Sequence, residues 1–590
     1  MLKKNKLRYN EYYDMQHIYD ELYAQSKNGN NFYKLLEIIG SEQNICLAYR
    51  NLKSNSGSKT AGTDGMTIDD IKQLSNAEIV ATVRESLSNY RPKSVRRVFI
   101  PKAGSDKMRP LGIPCIWDRL VQQCILQVLE PICEPKFHNH SYGFRANRSA
   151  HHAVSRVTTL INLSKYHYCV DVDIKGFFDN VNHGKLLKQI WTLGIRDKRL
   201  ICIISKMLKA EIDGEGVPEK GTPQGGLLSP LLSLIVLNEL DWWVSSQWET
   251  FQPKNRSKNG WLQYAKKYTK LKSGFIVRYA DDFKIMCSTY GEAQRFYHST
   301  VDFLNKRLKL EISPEKSKVV NLKKNSSDFL GFKIKVIPKG RTKHGYVAKT
   351  DMNQKALKKA KTNLKLKVKD IARHTTGFNI SRYNLTVIGM QNYYCIATNV
   401  YNNLTEVSYA LLPTIRIRLR NIAKSVPFES TSSEFQSRTK GIRPKTKIVM
   451  IADNPLLPIQ GVQHKNPMNF SQDICNFTKQ GRNKVQNPAD SVEFNDNRIS
   501  AYIAQQGNCY VMNRRGTPST LICIHKSDKG DNLDRYSNLA FVEIPIAKAI
   551  LTESADEAKS LLKGYVLNSQ QKKKLNRIRT NYGYQTITGK

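Results

Sequence analysis

"RYADDFKIMC" (residues 278–287) sets Asp281 and Asp282 side by side inside an otherwise apolar run. Burying one carboxylate is costly, and a second beside it adds like-charge repulsion. A bound cation would offset both terms. The surrounding "FIVRYADDFKIMC" (275–287) reads as a pair of strands. An earlier segment, "HYCVDVDIKGFF" (167–178), is β-branched and apolar with acids at alternate positions, so Asp171 and Asp173 fall on one face of a strand. Adjacent strands would bring the two acidic clusters together. Hard oxygen ligands select Mg²⁺ over softer metals. Two such ions, roughly 3.5–4 Å apart, activate an attacking hydroxyl and stabilise a leaving pyrophosphate, which is nucleotidyl transfer. The competing reading is two surface turns with solvated aspartates.

Composition narrows the field. A chain of 590 residues divides into several domains. Its 93 Lys and Arg against 50 Asp and Glu leave a formal charge of +43. Solubility needs only about 2–8 units on a small domain, so this surplus points to a polyanionic partner, nucleic acid first. The eleven cysteines include no CxxC pair, which argues against a disulfide framework or zinc ribbon and suits a reducing compartment. "MLKKNKLRYNEYYDM" lacks the apolar centre of a signal peptide. "GGLLSPLLSLIVLNEL" (225–240) is too short and too interrupted to span a bilayer. The expectation is a soluble intracellular protein with no membrane partner.

Along the chain, residues 1–100 read as mainly helical around the loop "SNSGSKTAGTDGM". "SVRRVFI" and "MRPLGIP" form a hairpin across "PKAGSDK". Helical periodicity follows at 117–135 and after Ser149, a suitable N-cap. His151 and His152 invite a metal reading, but adjacent side chains on a helix diverge, which favours a structural helix start. "DFLGFKIKVI" supplies another strand. In "ALKKAKTNLKLKVKDIARH", Leu357, Ala360, Leu364, Val368 and Ile371 share one helical face; Lys358, Lys361, Lys365 and Lys369 spread around the rest. That basic face is either simply solvated or turned to nucleic acid.

Tyr279-Ala280-Asp281-Asp282 resembles the YxDD box of reverse transcriptases. "VDIKGFFDNVNH" (172–183) is similar to the motif carrying the first catalytic aspartate, and "GTPQGGLLSPLL" (221–232) to the template- and nucleotide-contacting block between them. "TDGMTI", "RPLGIP", "SYGFR" and "FLGFKI" match further blocks of the group II intron-encoded subfamily, and "YNLTVIGMQNYYCIATN" (383–399) resembles its maturase, or X, domain. The resemblance implies Asp173, Asp281 and Asp282 as catalytic, metal-binding acids for two Mg²⁺ ions, with Asp171 a supporting acid rather than a ligand. It implies Phe178 as the steric gate against a ribose 2′-OH, Gln224 at the incoming nucleotide, and Lys102 and Arg109 on the triphosphate. Lys107 is the alternative to either cation.

Residues 500–552 resemble the HNH endonuclease that often closes such proteins. His525 stands at the general-base position and Asn538 at the motif's asparagine. Ile524, Ala547 and Leu551 occupy slots where metal-binding histidines belong. Only Cys509 remains where cysteine pairs would hold zinc. The resemblance therefore implies a degenerate nuclease that does not cleave.

The implied fold is α+β, a right hand. Fingers and antiparallel-sheet palm occupy 1–345, a helical maturase thumb 346–425, and a basic linker 426–490. A degenerate HNH-like module fills 491–567, followed by a basic tail at 568–590. The implied function is an RNA-directed DNA polymerase and splicing maturase acting in target-primed reverse transcription. Its expected partners are the parent intron RNA, target DNA, template–primer and dNTPs, and a homodimer is left open. The alternatives are a splicing-only RNA-binding maturase and a domesticated reverse transcriptase, for example in phage defence. The expected location is bacterial cytoplasm or an organelle matrix.

Overall fold

A computed structural model describes residues 9–101, 108–251, 264, 268–269, 271–342, 344–432, 435–436, 444–451, 454–483, 494, 497–498, 501–502, 505, 508–514, 516, 520–529 and 533–587. Apolar side chains gather into three cores.

The palm is a four-stranded antiparallel sheet of β3 (Tyr168–Val172), β4 (Gly274–Tyr279), β5 (Asp282–Cys287) and β6 (Lys318–Asn321), in the order β4-β5-β3-β6. Side chains alternate across a strand, so the sheet divides two cores. Val170, Val172, Ile276, Phe283 and Ile285 enter the first core; Cys169, Val277, Met286 and Val320 enter the second. The first core also takes in the N-terminal helices and Ile116–Cys133, a helix buried on nearly all sides. Ahead of that helix, β1 (Arg96–Pro101) and β2 (Met108–Ile113) form the fingers hairpin, with Ile100 opposite Arg109. The turn between them, and with it Lys102 and Lys107, lies outside the described residues.

A second antiparallel sheet, β7 (Ser327–Phe329), β8 (Phe332–Pro338) and β9 (Tyr346–Met352), leads to the thumb helices Gln354–Arg373, Gly377–Tyr394 and Val400–Arg418. Leu357, Leu364, Val368 and Ile371 are buried along the first of these, while Lys358, Lys365 and Lys369 are exposed. A palm–thumb boundary at 345/346 would cut between β8 and β9, which pair from Phe332↔Met352 to Pro338↔Tyr346. Both strands share the second core with the thumb.

The region expected as a linker is built in where it is described. β10 (Ala423–Pro427), β11 (Lys447–Ile451) and β12 (Asn454–Pro455) form a small sheet, and Ile451, Leu456 and Ile459 join the thumb core. The chain then runs back along the palm as a strap. Asn469 Oδ1 accepts from Ser155 Oγ at 2.8 Å, and Arg482 Nη1 donates to Asp20 at 2.6 Å.

In the C-terminal module, β13 (Leu521–His525) pairs with β14 (Leu539–Glu543), and the helices Ile544–Leu551, Ala555–Leu561 and Ser569–Asn581 follow. Ser569–Asn581, expected as a basic tail, buries Leu575 and Ile578 in the third core. Arg579 is fully buried and donates to the carbonyls of Thr552 and Glu553. The long polar run hid two apolar residues at helical spacing. Among the described residues, no helix is long and apolar enough to cross a membrane.

Candidate active site

β4 and β5 are joined by a two-residue turn, with Tyr279 opposite Asp282 and Ala280–Asp281 at the tip. Ala280 carries φ +57°, a left-handed conformation that costs a non-glycine residue energy and needs outside support. Arg278 supplies some of it. Fully buried, it donates from Nε to Asp241 Oδ1 at 2.8 Å and from Nη1 to the Ala280 carbonyl at 2.8 Å. Asp241 is equally buried on the helix Ser229–Ser246, so this is a matched ion pair that ties the turn to the core. The "SYGFR" block supplies the rest. Tyr142 N–H donates to the Arg278 carbonyl at 2.8 Å, and a Cβ on Gly143 would stand 2.3 Å from the Ala280 nitrogen. Only glycine lets the two backbones approach this closely.

Asp173 follows the end of β3. Its N–H donates to Ser317 Oγ at 3.1 Å and its carbonyl accepts from Ser313 N at 2.8 Å. Its half-exposed carboxylate meets the exposed Lys316 Nζ at 3.1 Å. The "SPEKS" loop (313–317) thus fixes the backbone and leaves the carboxylate facing outward.

Asp171 behaves differently. It lies opposite Lys284 in the sheet, and Lys284 Nζ, 3 % exposed, donates to its Oδ1 at 2.6 Å. Ser327 Oγ donates to Oδ2 at 2.7 Å and receives a bond from Lys284 at 2.6 Å. Burial alone would lower the Lys284 pKa, but Asp171 and its neighbours raise it above the ordinary lysine range. Asp171 is thus held by Lys284 and Ser327.

Asp281 and Asp282 are solvent-accessible but hemmed in by protein. Burial is the main cause that raises the Asp281 pKa. The Asp173 carboxylate raises it further, against the lowering influence of its own N–H, Arg109 and Arg278. Asp173, Asp281 and the fingers' Arg109 therefore share one electrostatic environment. Asp282 is pushed up to about 6, again mainly by burial; its other influences are Lys284, Asp171, Asp281 and the Leu330 N–H. It leans toward the Asp171–Lys284 group. Among the described residues no three His, Cys, Asp or Glu side chains are grouped so as to hold a metal ion.

Phe178 sits beside this edge in the 3-10 turn Phe177–Asn180, edge-on to Phe144 at 6.4 Å between ring centres. Its carbonyl accepts from Thr222 N at 2.7 Å, which carries the Gln224 turn alongside it. A Cβ on Gly225 would stand 2.2 Å from the Gly112 carbonyl oxygen, so that turn also presses on β2 of the fingers. Sequence reasoning missed Arg278–Asp241, the Lys284–Ser327 pair and Lys316. The signal was available for two of them, since Arg278 and Lys284 are cations set inside apolar strand runs. His152 closes the Ala150–Ser164 helix start by accepting from Ser149 N at 3.1 Å.

In the C-terminal module, His525 ends β13 with Nε2 2.8 Å from Asp534 Oδ1. Asn538 Nδ2 donates to the Ser527 and Leu533 carbonyls at 2.9 Å each. Ala547 is buried and Leu551 exposed on the following helix, and Cys509 Sγ accepts from the Met512 and Glu543 N–H groups.

Residues 100–334 match the family described as Reverse transcriptase (RNA-dependent DNA polymerase). The chain is 31% identical over 429 residues to the Group II intron-encoded protein LtrA of Lactococcus lactis subsp. cremoris, covering 62% of this chain and 70% of that one. It is 32% identical over 317 residues to Protein YkfC of Escherichia coli, covering 51% of this chain and 82% of that one. The Putative COX1/OXI3 intron 1 protein of Saccharomyces cerevisiae is 29% identical, over 54% of this chain and 41% of its own. The matched blocks span the fingers and palm that carry Arg109, Asp173 and Asp281, and with that coverage the chain belongs to the group II intron-encoded proteins, with a reverse transcriptase domain at its catalytic centre.

Proposed function

We propose that the chain extends a DNA primer on an RNA template at the palm edge, with Asp173 and Asp281 as the acids that hold Mg²⁺. The observation that carries this is the convergence of Asp173, just past the end of β3, and Asp281, in the turn into the neighbouring β5, near enough for one carboxylate to raise the other's pKa, with Arg109 of the fingers near Asp281. The donor set fits a hard divalent cation. Two mutually repelling carboxylates gain from a shared positive charge, and Mg²⁺ binds by one or two carboxylates, keeping several waters and taking substrate phosphates. When bound, a pair of such ions supplies charge stabilisation for the attacking 3′-hydroxyl and the leaving pyrophosphate.

The residues around it have separable tasks. Arg109 binds the triphosphate as a cationic clamp, and Lys102, outside the described residues, is assigned the same role. Phe178, braced by Phe144, blocks a 2′-hydroxyl. The Gln224 turn supports the base and sugar of the incoming nucleotide. Asp282 completes the acidic edge as a third ligand or as a neighbour that biases Asp281; its contact with the Leu330 N–H favours the second role. The exposed lysines of Gln354–Arg373 make a face for the parent intron RNA, which is read through shape and phosphates. Binding there should weaken steeply with salt.

For the C-terminal module we infer an HNH-like nuclease remnant. The order β13, β14, helix suits a ββα nuclease, but the helix offers Ala547 and Leu551 where metal ligands are needed, and His525 is held by Asp534. The test of the main reading is primer extension on RNA with Mg²⁺ and dNTPs. Wild-type extension lost in Asp173→Ala and Asp281→Ala is the expected result. A wild type that extends no primer but still promotes splicing would favour the splicing-only alternative.

A further inference from the structure

A cavity of about 440 Å³ lies where the start of the Ala150–Ser164 helix, the thumb, the strap and the C-terminal module meet, lined by none of the palm acids. It falls within the roughly 300–1,000 Å³ of small-molecule sites. Among its lining residues are His151, Asn392, Lys465, Tyr510, Lys526 and Tyr536, with no Asp or Glu among the described residues. No carboxylate pairs with Lys465 or Lys526 among the described residues. A third lysine, Lys574, stands behind the wall and donates to the Tyr510 carbonyl at 2.9 Å. Lys526 and Lys574 both lie over the Tyr510 ring, at 5.6 and 5.7 Å.

Two lysines line this cleft without a carboxylate partner among the described residues, with the third behind its wall, and an anion entering would gain from that positive charge. Burial lowers the pKa of Lys526, and so do Arg577 and Arg535; burial lowers that of Lys574, and so does Lys465. The lining is also partly aromatic. Tyr536 is half exposed at the cavity, and the exposed Asn392 and Ser537 bring polar groups suited to a base edge. Cationic amines beside a free aromatic face fit a phosphate joined to a base.

We propose that this cavity receives one unpaired nucleotide, its phosphate against Lys465 and Lys526 and its base against Tyr536. The source is an extruded residue of a bound strand or a free nucleotide, since both present the same chemistry. The site shares no lining residue with the palm acids and rests only on the chain's being a nucleic-acid enzyme.

The test uses the full chain and a short single-stranded RNA bearing thiouridine, photo-cross-linked and mapped by mass spectrometry. Cross-links are expected both in palm peptides and in the peptide containing Tyr536. Lys465→Glu and Lys526→Gln should each remove the Tyr536 cross-link while leaving palm cross-links and primer extension on an RNA template unchanged. Affinity for the single strand should fall on the order of tenfold in the double variant, and the salt slope by about one to two. Lys465 is exposed and only its backbone N–H is used, on the Cys395 carbonyl, so its replacement tests the charge without unsettling the fold. Excess nucleoside monophosphate that displaces the Tyr536 cross-link identifies a free nucleotide as sufficient; failure to displace identifies the strand. Palm cross-links without a Tyr536 cross-link would overturn the cavity assignment alone. Absence of both would overturn the nucleic-acid reading as well.

Discussion

Two hairpins in this chain place an acid or a base at a strand end, and they differ in what their neighbours leave free. At the palm, Asp281 and Asp173 repel each other, and their nearest cations, Lys316 and Arg109, are exposed side chains that can move. In the C-terminal module, His525 already holds Asp534 and Asn538 has given its amide to two carbonyls. The first hairpin holds two repelling carboxylates whose nearest partners, Lys316 and Arg109, are exposed, so a ligand can compete with them. In the second, His525 and Asn538 have partners within the module. An arrangement poised for chemistry is recognised by this residual imbalance more than by the residue types.

The largest effect that could break the contrast is at the palm. Asp281→Ala should cut primer extension on the order of 10³-fold or more without altering the fold, because the charge it holds is needed at the reacting phosphate. Retained extension would remove the basis of the comparison. Lys284→Met tests the supporting layer. It leaves the partly buried Asp171 without its cation and should destabilise the palm by about 1–3 kcal/mol, read as faster hydrogen exchange in β3 and β5. Adding Asp171→Leu should recover most of that loss. Phe178→Ala sharpens the assignment of the nucleotide side; discrimination between dNTPs and rNTPs should narrow on the order of 10–100-fold.

A smaller effect concerns Asp282. Its native pKa is raised to about 6, so in metal-free protein the native state holds this proton more tightly than the unfolded chain does. Its contribution is present below the unfolded value near 4 and is lost as pH rises toward about 6. Asp282→Asn should flatten the metal-free melting profile over that window. No effect at all is expected for His525→Ala on cleavage of labelled target DNA by the protein–RNA particle with Mg²⁺ or Mn²⁺. Specific nicking that this substitution abolishes would make the second hairpin an active site and end the contrast.

Much of the palm could be read from the sequence. The acids in "VDVD" and "YADD" marked two strands of the sheet, although Asp173 falls just past the end of β3 and Asp281 in the β4–β5 turn, and Ser149 marked a helix start that the structure keeps. Less legible were the supports. Asp241 lies in "LNELDWW", an apolar helix with nothing to tie it to Arg278, and Ser327 is one serine among many. Their value comes from a partner far away in the chain. The strap at 464–482 and the helix Ser569–Asn581 escaped for a related reason, since both are polar stretches whose few apolar or amide groups matter only against a surface not yet built.

By itself the sequence determined the carboxylates, the strand period that leads to them, the excess of positive charge and the absence of histidine from residues 526–590. Those are local properties, carried by residue identity and spacing. Only the tertiary structure decided which acid is held by a buried lysine and which keeps a half-exposed carboxylate, because Asp171 and Asp173 look alike in the chain and differ in what reaches them. Lys284 crosses from β5 into a buried site for one, and a solvent-facing lysine meets the other. Charge balance depends on distance through space, and the order of residues along the chain does not encode that distance directly.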